Sequence, residues 1–166
     1  IEIHKLLLEM NNDIIHRGPD EEGYFEDNYL DRKIGMGMRR LSIIDLSTGK
    51  QPIYSIDNQK VIVFNGEIYN YKTLKQEHLV EYNFKTNSDT EVILNLYIKW
   101  GLDGLKKLEG VFAVAIWDVE KKHLLLIRDR LGVKPLYYTI LKSGFGFLRS
   151  NVQGFVFCFY YNCARC

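Results

Sequence analysis

The chain has 166 residues, 46% of them hydrophobic and 26% charged, the profile of a globular domain with one sizeable core rather than of a disordered or fibrous chain. Lys and Arg number 22 against 21 Asp and Glu, which leaves no basic footprint for nucleic acid or an anionic membrane, and no apolar run is long enough to span a bilayer. Cys158, Cys163 and Cys166 all fall in the last nine residues, so the body of the domain has no pair to bridge and is expected in a reducing cytoplasm.

Ile3, Leu6, Leu7, Met10 and Ile14 follow helical spacing and predict an amphipathic helix that ends before Gly18-Pro19. With Ile1 at its head and a helix already under way, the sequence reads as a fragment, and an upstream targeting segment stays open. Residues 23–47 shift to short strand-like pieces with glycines and acidic turns. Residues 61–64, VIVF, form a short apolar strand that runs directly into Asn65-Gly66. Asn70 can cap a second helix carrying Leu74 and Leu79.

Residues 88–100 give the clearest helix. Ser88 and Glu91 have capping-box spacing, Val92, Ile93, Leu96, Tyr97 and Trp100 share a face, and Gly101 closes it. Residues 111–117 are continuously apolar, as in a strand buried on both faces. Residues 124–127 and 136–140 read as further strands. Strands grouped with strands, and helices with helices, predict sheets covered by helical layers rather than a repeating β-α wind. After Phe147 the segment LRSNVQGFVFCFYYNCARC shows no defensible periodicity.

Five segments carry chemistry: HRGPDEEG at 16–23, RRLSIIDLSTGKQP at 39–52, FNGEIYNY at 64–71, SDTEVIL at 88–94 and RDRLGVKPLYY at 128–138. Together, and in this order, they resemble the N-terminal glutaminase domain of glutamine-dependent asparagine synthetases. The resemblance covers the stretch from His16 to Tyr138. It implies a four-layer αββα sandwich of the N-terminal-nucleophile hydrolase type, an α+β fold with two stacked antiparallel sheets. It also implies hydrolysis of glutamine to glutamate and ammonia by an N-terminal cysteine, whose α-amine is the base. Ammonia would then reach a second domain, where ATP activates aspartate.

Carried over residue by residue, the resemblance assigns the oxyanion hole to the Asn65 side-chain amide and the Gly66 N–H. Standing alone, Asn-Gly would be read as a type I′ hairpin turn; Glu67, Tyr69 and Asn70 beside it tip the reading toward a site. Arg40 is assigned the α-carboxylate of glutamine, since a guanidinium can grip it bidentately, with Leu41, Ser42, Ile43 and Ile44 framing it. On composition alone Arg40 is a surface arginine beside Arg39. Asp89, helped by Glu67, is assigned the α-ammonium, although an acidic residue in a first helical turn is favoured by the helix dipole in any case.

Residues 16–20 are expected to shape the pocket wall, with Arg17 the main contributor. Arg128, Asp129, Arg130 and Lys134 are expected to form a structural ion-pair network. His4, His78 and His123 fit no metal or triad spacing, and Cys163-Ala164-Arg165-Cys166 lacks the second pair a zinc site needs. No metal site and no resident cofactor are expected. ATP and Mg belong to the synthetase domain, whose Ser-Gly-Gly-x-Asp-Ser loop has no counterpart here.

Residues 1–147 are therefore expected to be a glutaminase domain without its first strand and nucleophile, and 148–166 an atypical tail. Glutamine and a synthetase domain are the expected partners, with a homodimer one expectation for the full-length protein. Alone, the chain is expected to be inactive. The competing expectations are a non-catalytic glutamine-binding or regulatory chain, a related amidotransferase that serves another acceptor, and a fragment that does not fold stably.

Overall fold

In the computed structural model, which describes residues 3–29, 32–40, 49–141, 144–148 and 155–162, two antiparallel sheets carry the fold. Helix α1 (Ile3–Asp13) and a 3-10 turn (Ile15–Arg17) lead into two long strands, β1 (Glu21–Tyr29) and β2 (Arg32–Arg40). β3 (Ile53–Tyr54) and β4 (Lys60–Ile68) come next, then helices α2 (Tyr71–His78), α3 (Asp89–Trp100) and α4 (Leu102–Leu105). The remaining strands are β5 (Gly110–Asp118), β6 (His123–Arg128), β7 (Tyr137–Leu141), β8 (Gly144–Leu148) and β9 (Phe155–Asn162). Among the described residues the larger sheet has the order β1-β2-β9-β8-β7 and the smaller β3-β4-β5-β6.

The alternation of side chains along β4 sorts the core into two parts. Ile62, Phe64 and Ile68 face one way and pack, with Val114 and Ile116 of β5, against Val92, Ile93 and Leu96 of α3. Val61 and Val63 face the other way and meet, with Ala115 and Trp117, the row Ile34, Met36 and Met38 of β2. β4 and β5 are thus covered on both faces, which is why residues 111–117 show no polar alternation. Ile62, Ile93 and Leu96 are fully buried, each side chain contributing about 1.5–3 kcal/mol relative to exposure.

α1 is tied to β2 by polar contacts across its last turn. Asn11 Nδ2 donates to the Met38 carbonyl at 3.4 Å, and Arg39 Nε donates to the Asn11 carbonyl at 2.8 Å. No helix among the described residues is long and apolar enough to cross a membrane.

The local structure departs from the sequence expectation in four places. Where short pieces were expected over 23–47, β1 and β2 are nine residues each; β1 lies at a sheet edge, so it lacks the apolar pattern that would announce its length. Asn70 sits at the N-cap of α2 but makes no side-chain cap bond. Its amide donates to the Lys107 carbonyl at 3.0 Å and accepts from Glu109 N–H at 3.1 Å. Glu91 does not close a capping box on Ser88: its carboxylate accepts from the N–H groups of Lys85 and Thr86, at 2.9 and 2.6 Å, and Ser88 N–H goes to Thr86 Oγ1 at 3.1 Å. Finally, β9, from the segment without periodicity, pairs with both β2 and β8. Its β2 partner is distant in sequence, and no local pattern encodes that pairing.

Candidate functional site

β4 pairs with β5 from Lys60 opposite Asp118 to Ile68 opposite Gly110, but with β3 only at Val61 and Ile62. Past Ile62 its outer edge carries no strand among the described residues, and there the expected oxyanion residues lie. Asn65 and Gly66 are interior residues of β4, not a hairpin turn.

The direction of the Gly66 N–H follows from its neighbours. Residues of an antiparallel strand present their amides alternately to its two sides. On the open side, Phe64 N–H donates to Gln51 Oε1 at 2.6 Å, and Ile68 N–H donates to Asp89 Oδ2 at 3.0 Å. Gly66 stands two residues from each, so its N–H shares that edge. The opposite strand agrees. Phe112, the register partner of Gly66, gives its own N–H to Asp129 Oδ2 at 3.3 Å and accepts from Asp129 N–H at 2.9 Å, on the far side from β4. Gly66 has φ +149°, and a Cβ on it would collide with the Val111 carbonyl and stand 2.6 Å from Phe112 Cα. No side chain fits against β5 there, so the position takes glycine, and of the Phe64, Gly66 and Ile68 amides on the open edge its N–H is the one left facing outward.

Asn65 falls on the same face of β4 as Val61 and Val63, and is buried. Glu67 follows two residues on and is exposed. Asp89, first residue of α3, completes the group. Burial pushes its carboxyl above the ordinary range, the charge of Glu67 adds to that, and the Ile68 and Thr90 N–H donors only partly offset it. The charge of Glu67 thus adds to the cost of ionising Asp89, and a cation bound there would relieve it. Ser88 Oγ fixes the start of α3 by accepting from Thr90 N–H at 3.1 Å.

The structure therefore brings Asn65, Gly66, Glu67 and Asp89 together at the end of β4. Arg40 closes β2, its backbone opposite Glu21; its side chain, and Leu41, Ser42, Ile43 and Ile44, lie outside the described residues, as does the side chain of Arg17. The 16–23 segment is held by Arg39, which sequence reading passed over as a neighbour of Arg40. Arg39 is buried, with Nη1 donating to the Gly18 carbonyl at 3.4 Å and Nη2 paired with Glu22 at 2.7 Å.

Where an ion-pair network was expected over 128–134, Asp129 is met by backbone amides. Its carboxylate accepts from Val133 N–H at 2.8 Å and Lys134 N–H at 2.9 Å besides Phe112. Burial raises its pKa, but these donors outweigh it and hold the carboxyl below the usual range. Gln51 and Arg39 were missed because their partners lie in other elements, and the Asp129 carboxylate is met by backbone amides, which no pattern of charged side chains announces. For Gln51, its place at the end of the 39–52 segment was the one available signal. No group of three or more His, Cys, Asp or Glu that could hold a metal occurs among the described residues.

A model of the glutamine amidotransferase domain matches residues 2–159. The chain is 47% identical to asparagine synthetase (glutamine-hydrolysing) 2 of Bacillus subtilis, over 82% of this chain and 18% of that protein. It is 40% identical to asparagine synthetase B (glutamine-hydrolysing) of Escherichia coli, over 94% and 27% respectively. It is also 43% identical to amidase chry2 of Gibberella zeae, over 80% and 20%. The chain thus spans between 18% and 27% of the length of these relatives.

Proposed function

The chain belongs to the glutamine amidotransferase domain family, and from that premise we propose that its β4 edge is a glutamine pocket, the substrate half of a glutaminase. The observation that carries the reading is the edge itself. Of the Phe64, Gly66 and Ile68 N–H groups, Gln51 and Asp89 take the first and last, leaving the Gly66 N–H for the carboxamide oxygen. Asn65 supplies the second donor. Asp89 and Glu67 receive the α-ammonium, and Arg40, with the 41–44 backbone, receives the α-carboxylate.

In the complete reaction a cysteine thiolate attacks the carboxamide carbon. Its α-amine shuttles the proton to the leaving ammonia, and water cleaves the resulting thioester. The 166-residue polypeptide has no cysteine before Cys158, so by itself it binds glutamine without hydrolysing it. Calorimetric titration with glutamine, run beside an ammonia assay on the same purified chain, tests this. Binding without ammonia above a no-enzyme control is expected. Ammonia release would overturn the inactivity, and no binding would overturn the pocket.

For the whole protein, the two synthetase relatives favour delivery of ammonia to ATP-activated aspartate, giving asparagine, in a separate domain; that enzyme is read as cytoplasmic and, in full length, as a homodimer. The amidase relative favours, as a second reading, an amidotransferase with another acceptor. The fold of this reading is the four-layer αββα sandwich, supported by α1 on one side of β2 and α3 on the far side of β4 and β5. Within it, 1–147 is the glutaminase body and 148–166 an appended segment, supported by the change of composition after Phe147, with β9 lent to the larger sheet.

A further inference from the structure

We propose that Gln51 is a positioning residue for the oxyanion donor: its side-chain carboxamide holds the β4 edge so that, of the backbone amides of Phe64, Gly66 and Ile68, that of Gly66 alone is left for the substrate. The inference rests on the glutamine-pocket reading above. β3 begins only at Ile53, opposite Ile62, and pairs with β4 no further along, so Phe64 N–H would otherwise stand unpaired at a part-buried edge. Gln51 Oε1 fills that place at 2.6 Å, continuing the ladder with a side chain where the backbone no longer reaches.

Two consequences follow for the site. The strand is fixed one residue before Asn65, as Asp89 fixes it two residues after Gly66. A competing donor is also removed, since a free Phe64 N–H would stand roughly 7 Å from that of Gly66 on the same edge and could draw the carboxamide oxygen out of register.

Gln51 is itself held. Its carbonyl lies so close over Gly23 of β1 that a Cβ there would collide with it, and that Cβ would also stand 2.9 Å from Pro52 Cδ. Two residues later Ile53 enters the ladder opposite Ile62. With its backbone anchored between β1 and β4, the side chain loses little further freedom in making the bond.

Norvaline, which shares the α-carboxylate and α-ammonium of glutamine but has no carboxamide, separates positioning from general structural damage. In titrations of the 166-residue chain, Gln51→Leu is expected to weaken glutamine about tenfold while leaving norvaline within about twofold. Gln51→Glu, which keeps an acceptor oxygen, should restore glutamine to within about threefold of the unmodified chain. If Gln51→Leu fails to fold, Gln51→Asn, which withdraws the acceptor by one methylene, carries the same comparison. An unchanged ratio of glutamine to norvaline affinity in the substituted chain overturns the role of Gln51 while leaving the pocket standing. If the unmodified chain binds neither ligand, the pocket reading falls and this inference with it.

Discussion

Asp89 begins α3 and accepts the Ile68 N–H, and its surroundings pull its proton in opposite directions. The helix start and the two backbone donors favour the carboxylate, but burial and Glu67 prevail, so the folded chain holds this proton more tightly than the unfolded one. The stability that this gives is full below the unfolded carboxylate pKa and is lost as pH rises through the higher folded value. At neutral pH the ionised Asp89 therefore costs stability, which a bound ammonium would offset. Asp89→Asn is expected to leave the Tm of the ligand-free chain equal or higher, and to weaken glutamine by roughly ten- to a hundredfold, the value of a hydrogen bond to a charged group. In the unmodified chain, glutamine affinity should fall on acidification at a pH above the ordinary carboxylate range. Thermal melts and titrations across pH check both; a lower Tm with unchanged affinity would assign Asp89 to structure alone. Asp89 was legible because the motif and the cap around it are local. Gln51 was not, because its partner stands 13 residues away in another strand.

α3 shows how far an element can be read from sequence and where that stops. Its length, its buried face and its Ser88 cap follow from apolar spacing and cap chemistry. The reach of Glu91 does not. At 7% exposure its carboxylate gathers two backbone N–H groups and Thr86 Oγ1 from the loop before the helix, the hydroxyl at 2.7 Å. It therefore fixes the path by which the chain arrives at Asp89. Glu91→Ala would strand the Lys85 and Thr86 amides in a part-buried loop and is expected to cost about 2–3 kcal/mol, with Glu91→Gln, which keeps one acceptor, at about half that. Denaturant unfolding measures both. Equal losses in the two variants would show that charge at the helix start, not the loop bonds, is what Glu91 supplies. The same limit explains β5 and β9: seven apolar residues announced the former, whereas pairing with β2 and β8 alone defines the latter.

On the scale of the molecule, the apolar row of β2 meets that of β4 and β5, and a polar clasp closes one end of the contact. Trp117, near the end of β5 in the smaller sheet, donates from Nε1 to Asp27 Oδ2 of β1 in the larger sheet at 2.8 Å, and Lys122 Nζ reaches the same oxygen at 3.4 Å. The partners lie 90 residues apart in sequence, so neither β1 nor β5 could announce the bond, although the buried tryptophan needed an acceptor somewhere. Asp27→Ala would leave that indole N–H buried and unpaired, at an expected cost of about 1–2 kcal/mol, whereas Asp27→Asn, which can still accept it, should cost less than about 0.5 kcal/mol. A cycle with Trp117→Phe isolates the pair, and a coupling near zero would show that packing alone joins the sheets there. The pocket lies at the other end of β5, beside Phe112, roughly 17 Å from Trp117 along the strand. Glutamine affinity in Asp27→Ala should therefore stay within about twofold of the unmodified chain, since sites so far apart with no shared partner behave independently. A larger change would mean that the spacing of the sheets, and not only the β4 edge, sets the geometry of the pocket.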